Sequence, residues 1–253
     1  MTTNRGARQP RADLTLTPWL AHFYTGLGAV VALAATVEVV AGDFRGAFLW
    51  LGVQLLIDST DGVLARALRV KDRLPHFDGA RLDDIIDYLT YVFIPVLLML
   101  QAGLLPAGWG VWVGGLVLLA SGYGFCRSDA KTLTSDYFFT GFPSYWNLVA
   151  LYVFLFNLSP TINAAVVTLL ALLVFVPTRY VYPSRTKTLS RLTLVLGVLW
   201  GALLAWIVWR LPATDGPWAA ISLIFPVYYL ALSFWLDWQS RRSPAAIAAR
   251  RAS

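Results

Sequence analysis

The chain has 253 residues, of which 58% are hydrophobic and only 13% charged, and its mean hydropathy is +0.63. A water-soluble domain carries about 25% charged residues and about 45–50% apolar ones, so this composition excludes most soluble enzymes. At about 20 apolar residues per crossing, the apolar content fills roughly seven or eight membrane spans, and the net charge of +6 has to be understood within a membrane protein.

Residues 1–13 are polar, lack periodicity and read as a tail. Apolar runs follow at 18–42, 44–68, 83–105, 109–126, 143–159, 161–182, 192–210 and 217–238, and 240–253 form an Arg- and Ala-rich second tail. The pattern predicts an all-α integral membrane protein, a polytopic bundle of about eight transmembrane helices in a single domain over 1–253. Short connections such as Leu104-Leu105-Pro106-Ala107-Gly108 and Ser159-Pro160 favour tight packing between neighbours. No inverted repeat of the kind common in transporters is visible. The longest polar connections, near 69–82 and 127–142, emerge on one face.

With the N-terminus inside, the segments on that face collect every one of the 20 Lys and Arg residues except Arg45 and Arg210. The positive-inside rule then places both termini in the cytoplasm. The basic residues thus mark sidedness, and no nucleic-acid partner is expected. A basic start before an apolar run also suits a signal peptide, with Ala32-Leu33-Ala34 as a weak cleavage site, but the run outlasts a signal core of roughly 7–15 residues. Trp19, Trp50, Trp109, Trp112, Trp218 and Trp238 fall near span ends and read as interfacial anchors. The lone Cys126 excludes an intrachain disulfide and a cysteine zinc cluster and is expected to be a small core residue. His22 reads as a polar packing residue and His76 as solvated.

Half of the 14 acids, Asp58, Asp61, Asp72, Asp78, Asp83, Asp84 and Asp87, lie in one short stretch. At about 100° per residue, Asp58, Asp61, Gly62, Ala65 and Arg66 share one helical arc of about 140° at the end of span 2. Gly79, Asp83 and Asp87 share an arc of about 80° on span 3. The connection between the spans returns the chain to the same surface, so the two polar faces can oppose each other. An aspartate placed mid-span costs up to about 2.5–3.5 kcal/mol on an insertion scale. Arg66 is the one basic residue on either face, too little for a salt-bridged packing network. Two divalent cations balance four carboxylates, and hard oxygen ligands suit magnesium or manganese. A Cβ at Gly62 or Gly79 would stand in the way of a ligand approaching the backbone. Asp72 and Asp78 are expected to be solvated, and Asp84 to stabilise a helix N-terminus.

These residues resemble the signature of the CDP-alcohol phosphatidyltransferase family, Asp-x2-Asp-Gly-x2-Ala-Arg followed by Gly-x3-Asp-x3-Asp. Every signature position is filled, by Asp58, Asp61, Gly62, Ala65, Arg66, Gly79, Asp83 and Asp87. The twelve-residue spacer 67–78, longer than the roughly eight of most members, is similar to that of the family's bacterial phosphatidylcholine synthase branch. The segments Phe138 to Asn147 and Tyr180 to Arg185 resemble that branch too. The resemblance implies the fold of that family, located in the bacterial inner membrane with the active site facing the cytoplasm. It also implies transfer of a phosphatidyl group from CDP-diacylglycerol to choline, giving phosphatidylcholine and CMP, with membrane lipids as surroundings and a homodimer as the assembly.

By the same resemblance, Asp58, Asp61, Asp83 and Asp87 bind two divalent cations, Mg or Mn, and Asp87 is the general base on choline. Gly62, Ala65, Arg66 and Gly79 line the nucleotide site. A quaternary ammonium is recognised by aromatic faces, so Tyr91, one turn beyond Asp87, and Tyr145, Trp146 and Tyr182 near cytoplasmic span ends are choline candidates. Arg127, Lys131 and Arg185 are candidates for the lipid diphosphate. The same chemistry with serine, glycerol 3-phosphate or an inositol phosphate as acceptor stays open, and a divalent-cation transporter is the rival from another class.

Overall fold

A computed structural model of the protein describes residues 16–127, 138–176, 179–181, 190–213 and 216–241. The first two helices, α1 (Leu16–Ala41) and α2 (Phe44–Ala67), form a tight hairpin. Gly42 takes φ +79°, so that its N–H donates to the Val39 carbonyl (3.1 Å) and the Asp43 N–H to that of Glu38 (2.9 Å). This is a Schellman closure of α1, which needs a residue tolerant of the left-handed region. Asp43 then caps α2, its carboxylate accepting from the Gly46 N–H at 2.9 Å.

Past α2 the chain turns at Arg69, passes through the single-turn α3 (Val70–Arg73) and enters α4 (Gly79–Asp87). Asp78 caps α4, accepting from the Arg81 N–H at 3.1 Å. A π-helical segment, Tyr88–Phe93, carries α4 without a break into α5 (Ile94–Gln101). Pro95 has no N–H to give the preceding turn, and the widened turn lies immediately before it. The helices α6 (Gly110–Cys126), α7 (Trp146–Phe156), α8 (Pro160–Leu173), α9 (Ser190–Arg210), α10 (Trp218–Ser222) and α11 (Ile224–Arg241) complete the described bundle.

Among the described residues, four helical stretches are long and apolar enough to cross a membrane: Leu16–Ala41, Phe44–Ala67, Arg191–Arg210 and Trp218–Leu236. Gly110–Cys126, Trp146–Phe156 and Pro160–Leu173 are shorter apolar helices. The predicted run 143–159 contracts to the 11 residues of α7, about 16 Å of helix. Pro143 disfavours helix in the residue before it, and Asn157 stops α7 by adopting φ 45°. The run 161–182 is helical only to Leu173, and its end forms a strand. That strand, β2 (Arg179–Val181), pairs antiparallel with β1 (Phe138–Thr140), Phe139 opposite Tyr180. Hydropathy carries no sign of this ladder.

The main core joins α1, α2, the π segment and α5 to α9 through residues such as Ala35, Ala47, Val92, Leu98, Val117, Trp146 and Val167. Small buried residues on the hairpin, Ala32, Ala35 and Ala47, let α1 and α2 approach closely. Trp19, Trp50, Trp109, Trp112, Trp218 and Trp238 are all exposed, as interfacial anchors should be. Cys126 is exposed as well, against the expectation of a core position, because it is the last residue of α6.

Candidate functional site

Asp58 and Asp61 stand one turn apart near the C-terminal end of α2, and Asp83 and Asp87 one turn apart on α4. The hairpin turn at Arg69 and the Asp78 cap bring the two pairs together. One carboxylate oxygen from each of Asp58, Asp83 and Asp87 lies within 4.8 Å of the other two. Asp61, 7% exposed, neighbours Asp83. It accepts a 2.8 Å hydrogen bond from Thr25 Oγ1 of α1. Asp58 Oδ2 accepts from the Tyr91 hydroxyl at 2.7 Å. Asp87 is different: its Oδ1 is buried and accepts no hydrogen bond among the described residues.

This arrangement fits a cation. Two ionised carboxylates at that separation repel by about 3 kcal/mol at an effective dielectric constant near 20, and three such pairs occur in the trio. Among the described residues no basic side chain pairs with Asp61, Asp83 or Asp87; the ion pair found is Arg81 with Asp78 (3.7 Å), at the surface. An orphaned buried oxygen inside an all-carboxylate cluster is what a hard divalent ion satisfies. No His or Cys joins the cluster among the described residues.

The other signature residues surround it. Arg66 is exposed and folds back along its own helix, Nη1 lying 3.2 Å from where a Cβ on Gly62 would be. Ala65 packs on the small cluster of Ala21, Val70 and Leu74. A Cβ on Gly79 would come 2.5 Å from His22 Cε1. The reading that Gly79 is small to admit a ligand is thereby displaced, since a protein ring already holds that space. His22 is buried and stacks on Phe77 (4.3 Å between centroids), a packing role as expected. Asp78 is exposed, as expected, and in addition caps α4. Because α4 begins at Gly79, Asp84 sits in its second turn, away from the N-terminal position expected for it. Asp72 and His76 are exposed.

The choline candidates separate. Tyr91 is 5% exposed and is held by its bond to Asp58. Tyr145, 42% exposed, meets Tyr91 edge to face with centroids 6.1 Å apart. Trp146 is fully buried, donates from Nε1 to Ser121 Oγ (2.8 Å) and packs on Phe142, so its ring belongs to the core, contrary to a place in a cage. Arg127 follows α6 with its guanidinium 5.7 Å above the Tyr123 ring. Tyr182, Lys131 and Arg185 lie outside the described residues.

Two participants were missed in the sequence. Thr25 stands far from the signature, and its only sign was a hydroxyl within an apolar span. The hydroxyl role of Tyr91 depends on where the π segment aims the ring, which residue spacing does not report.

Fold and site together define a helical membrane protein with a cation-ready carboxylate cluster where α2 meets α4. No protein-family model matches the chain. It is 37% identical over 224 residues to a phosphatidylcholine synthase of Legionella pneumophila, covering 86% of this chain and 87% of that protein. A phosphatidylcholine synthase of Pseudomonas aeruginosa is 36% identical over 233 residues (88% and 95%), and one of Borreliella burgdorferi 35% over 181 residues (72% and 76%). The chain belongs to the phosphatidylcholine synthase family.

Proposed function

We propose that the protein transfers the phosphatidyl group of CDP-diacylglycerol to choline, giving phosphatidylcholine and CMP. The observation that carries the transfer chemistry is the convergence of one carboxylate oxygen from each of Asp58, Asp83 and Asp87 to within 4.8 Å of one another. The names of the relatives favour choline as the acceptor. The reading further takes the chain as one domain of about eight spans with the CDP-alcohol phosphatidyltransferase fold. It has both termini and the site at the cytoplasmic face of the bacterial inner membrane, and assembles as a homodimer.

Asp58, Asp61, Asp83 and Asp87 are the residues that hold two divalent cations, Mg or Mn. When bound, such ions neutralise the diphosphate and the departing CMP. The chain's own residues do the rest. The Asp87 carboxylate takes the proton of the choline hydroxyl as the choline oxygen bonds to the lipid-side phosphorus. The bond from that phosphorus to CMP breaks, and CMP leaves with the electron pair. Arg66 presents a planar fork to a phosphate, which lysine would not reproduce, and Gly62 and Ala65 shape the nucleotide side. Tyr145 offers an exposed ring face to the quaternary ammonium beside the carboxylates. Arg127, Lys131 and Arg185 are assigned to binding the lipid diphosphate, and Tyr182 to binding choline with Tyr145.

The test is headgroup transfer by purified protein from CDP-diacylglycerol to labelled choline, serine or glycerol 3-phosphate, with and without manganese or magnesium. Incorporation of choline alone, lost on chelation and restored by metal, is expected. Incorporation of serine or glycerol 3-phosphate in place of choline would overturn the acceptor assignment, and full activity after chelation would overturn the metal assignment.

A further inference from the structure

Helix α1 carries no signature residue, yet it meets the carboxylate-bearing helices at two successive turns. Thr25 Oγ1 donates to Asp61 Oδ2 at 2.8 Å. The adjacent Tyr24 hydroxyl lies 2.8 Å from Thr60 Oγ1. The single proton of Thr60 is directed back to the Leu56 carbonyl at 2.8 Å and that of Ile57 at 3.0 Å, so Tyr24 is the donor to Thr60. Two neighbouring hydroxyls of α1 therefore hold two neighbouring residues of α2. One turn further along α1, a Cβ on Gly28 would lie 2.6 Å from Gln54 Oε1 on α2 and 2.7 Å from Ile86 Cγ2 on α4. Gly28 is thus a point where α1 presses against both carboxylate-bearing helices.

We propose that Thr25 is a positioning residue: it fixes the rotamer of Asp61 by a neutral hydrogen bond to one oxygen and so presets that carboxylate for a divalent cation. The inference rests on the metal reading given above. A hydroxyl suits the task better than a basic side chain. It immobilises the carboxylate while leaving its full negative charge for the ion. A cation at the same place would compete with the metal. Asp58 is treated alike, through the Tyr91 hydroxyl, so each α2 carboxylate has one oxygen held by a hydroxyl from a different neighbouring helix. Outer partners of this sort hold metal-ligating groups in orientation, and their loss typically costs about 10–100-fold in metal affinity or activity.

The experiment is titration of the purified full chain with Mn2+, free ion being counted by electron paramagnetic resonance in the absence of lipid and choline. Thermal unfolding is recorded for every variant. Wild type, Thr25→Val, Thr25→Ser, Thr25→Ala and Asp61→Asn are compared. Thr25→Val and Thr25→Ala are expected to weaken Mn2+ binding about 10–100-fold, with Thr25→Ser near wild type because it retains the donor. If Thr25→Val unfolds, the contrast between Ala and Ser decides the matter. Wild-type affinity in the Val or Ala variant, or equal loss in Ser and Ala, overturns the role of Thr25 while an intact wild-type titration and its loss in Asp61→Asn leave the metal site standing. Absence of Mn2+ binding by wild type overturns both.

Discussion

Replacing Tyr91 by Phe removes one oxygen and leaves the ring, which separates the part played by the hydroxyl from that of the ring. The lost oxygen is the donor of a 2.7 Å hydrogen bond to Asp58 Oδ2, in a side chain that is almost wholly buried. A hydrogen bond to a charged group is worth about 1.5–3 kcal/mol. Water has little access to replace it at this depth. With each 1.4 kcal/mol counting tenfold, kcat/KM should fall by about 10–100-fold. The loss should appear as a higher manganese requirement, because it is the orientation of Asp58 that is relaxed. The choline KM should stay within about threefold of wild type, well under 1 kcal/mol, since the ring remains. Tyr91→Leu adds the loss of the ring next to Tyr145 and should raise the choline KM as well. Initial rates measured against choline and against manganese, at saturating CDP-diacylglycerol, give both comparisons. A Phe variant with wild-type rate and wild-type metal dependence would refute the reasoning, and a Leu variant with unchanged choline dependence would remove the ring from acceptor recognition.

Asp87→Asn keeps the shape of the side chain and removes its basicity, so turnover should fall by at least about 10²–10⁴-fold. CDP-diacylglycerol binding, followed by equilibrium competition, should remain substantial. Near-normal turnover would exclude Asp87 as the base. Gly79→Ala should lower the melting temperature of the lipid-free protein, by about 1–3 kcal/mol of overpacking against His22. Adding His22→Ala should recover most of that loss. A melting temperature unchanged by Gly79→Ala would show that the imidazole is not what demands glycine. Trp146→Phe should cost about 1–3 kcal/mol by orphaning Ser121 in the core, with no change in choline KM. A selective rise in choline KM at full stability would return Trp146 to the acceptor site.

Much of this protein could be read before any fold was seen, for reasons that are local. Hydropathy is additive along the chain, so α1, α2, α9 and the Trp218–Leu236 stretch were all covered by predicted runs. Helical spacing is also a local property, and it correctly put Asp58 with Asp61 and Asp83 with Asp87. Capping was readable only once helix ends were known: the cap falls to Asp78 and not to Asp84 because α4 begins four residues before the apolar run does. Apolar length overestimated α7 and α8, since a run of hydrophobic residues does not reveal that Asn157 will turn left-handed or that residues 179–181 will pair with 138–140.

The sequence by itself therefore determined a membrane-embedded helical chain and the four carboxylates of its signature, because composition and periodicity are properties of neighbouring residues. Only the tertiary structure decided which atoms surround them. Thr25, Tyr91 and Gly28 reach the site from other helices or across a π turn, and His22 takes the space beside Gly79. Such contacts depend on the distance and rotation between helices, set by packing to within an ångström or so, and no spacing along a single helix encodes that.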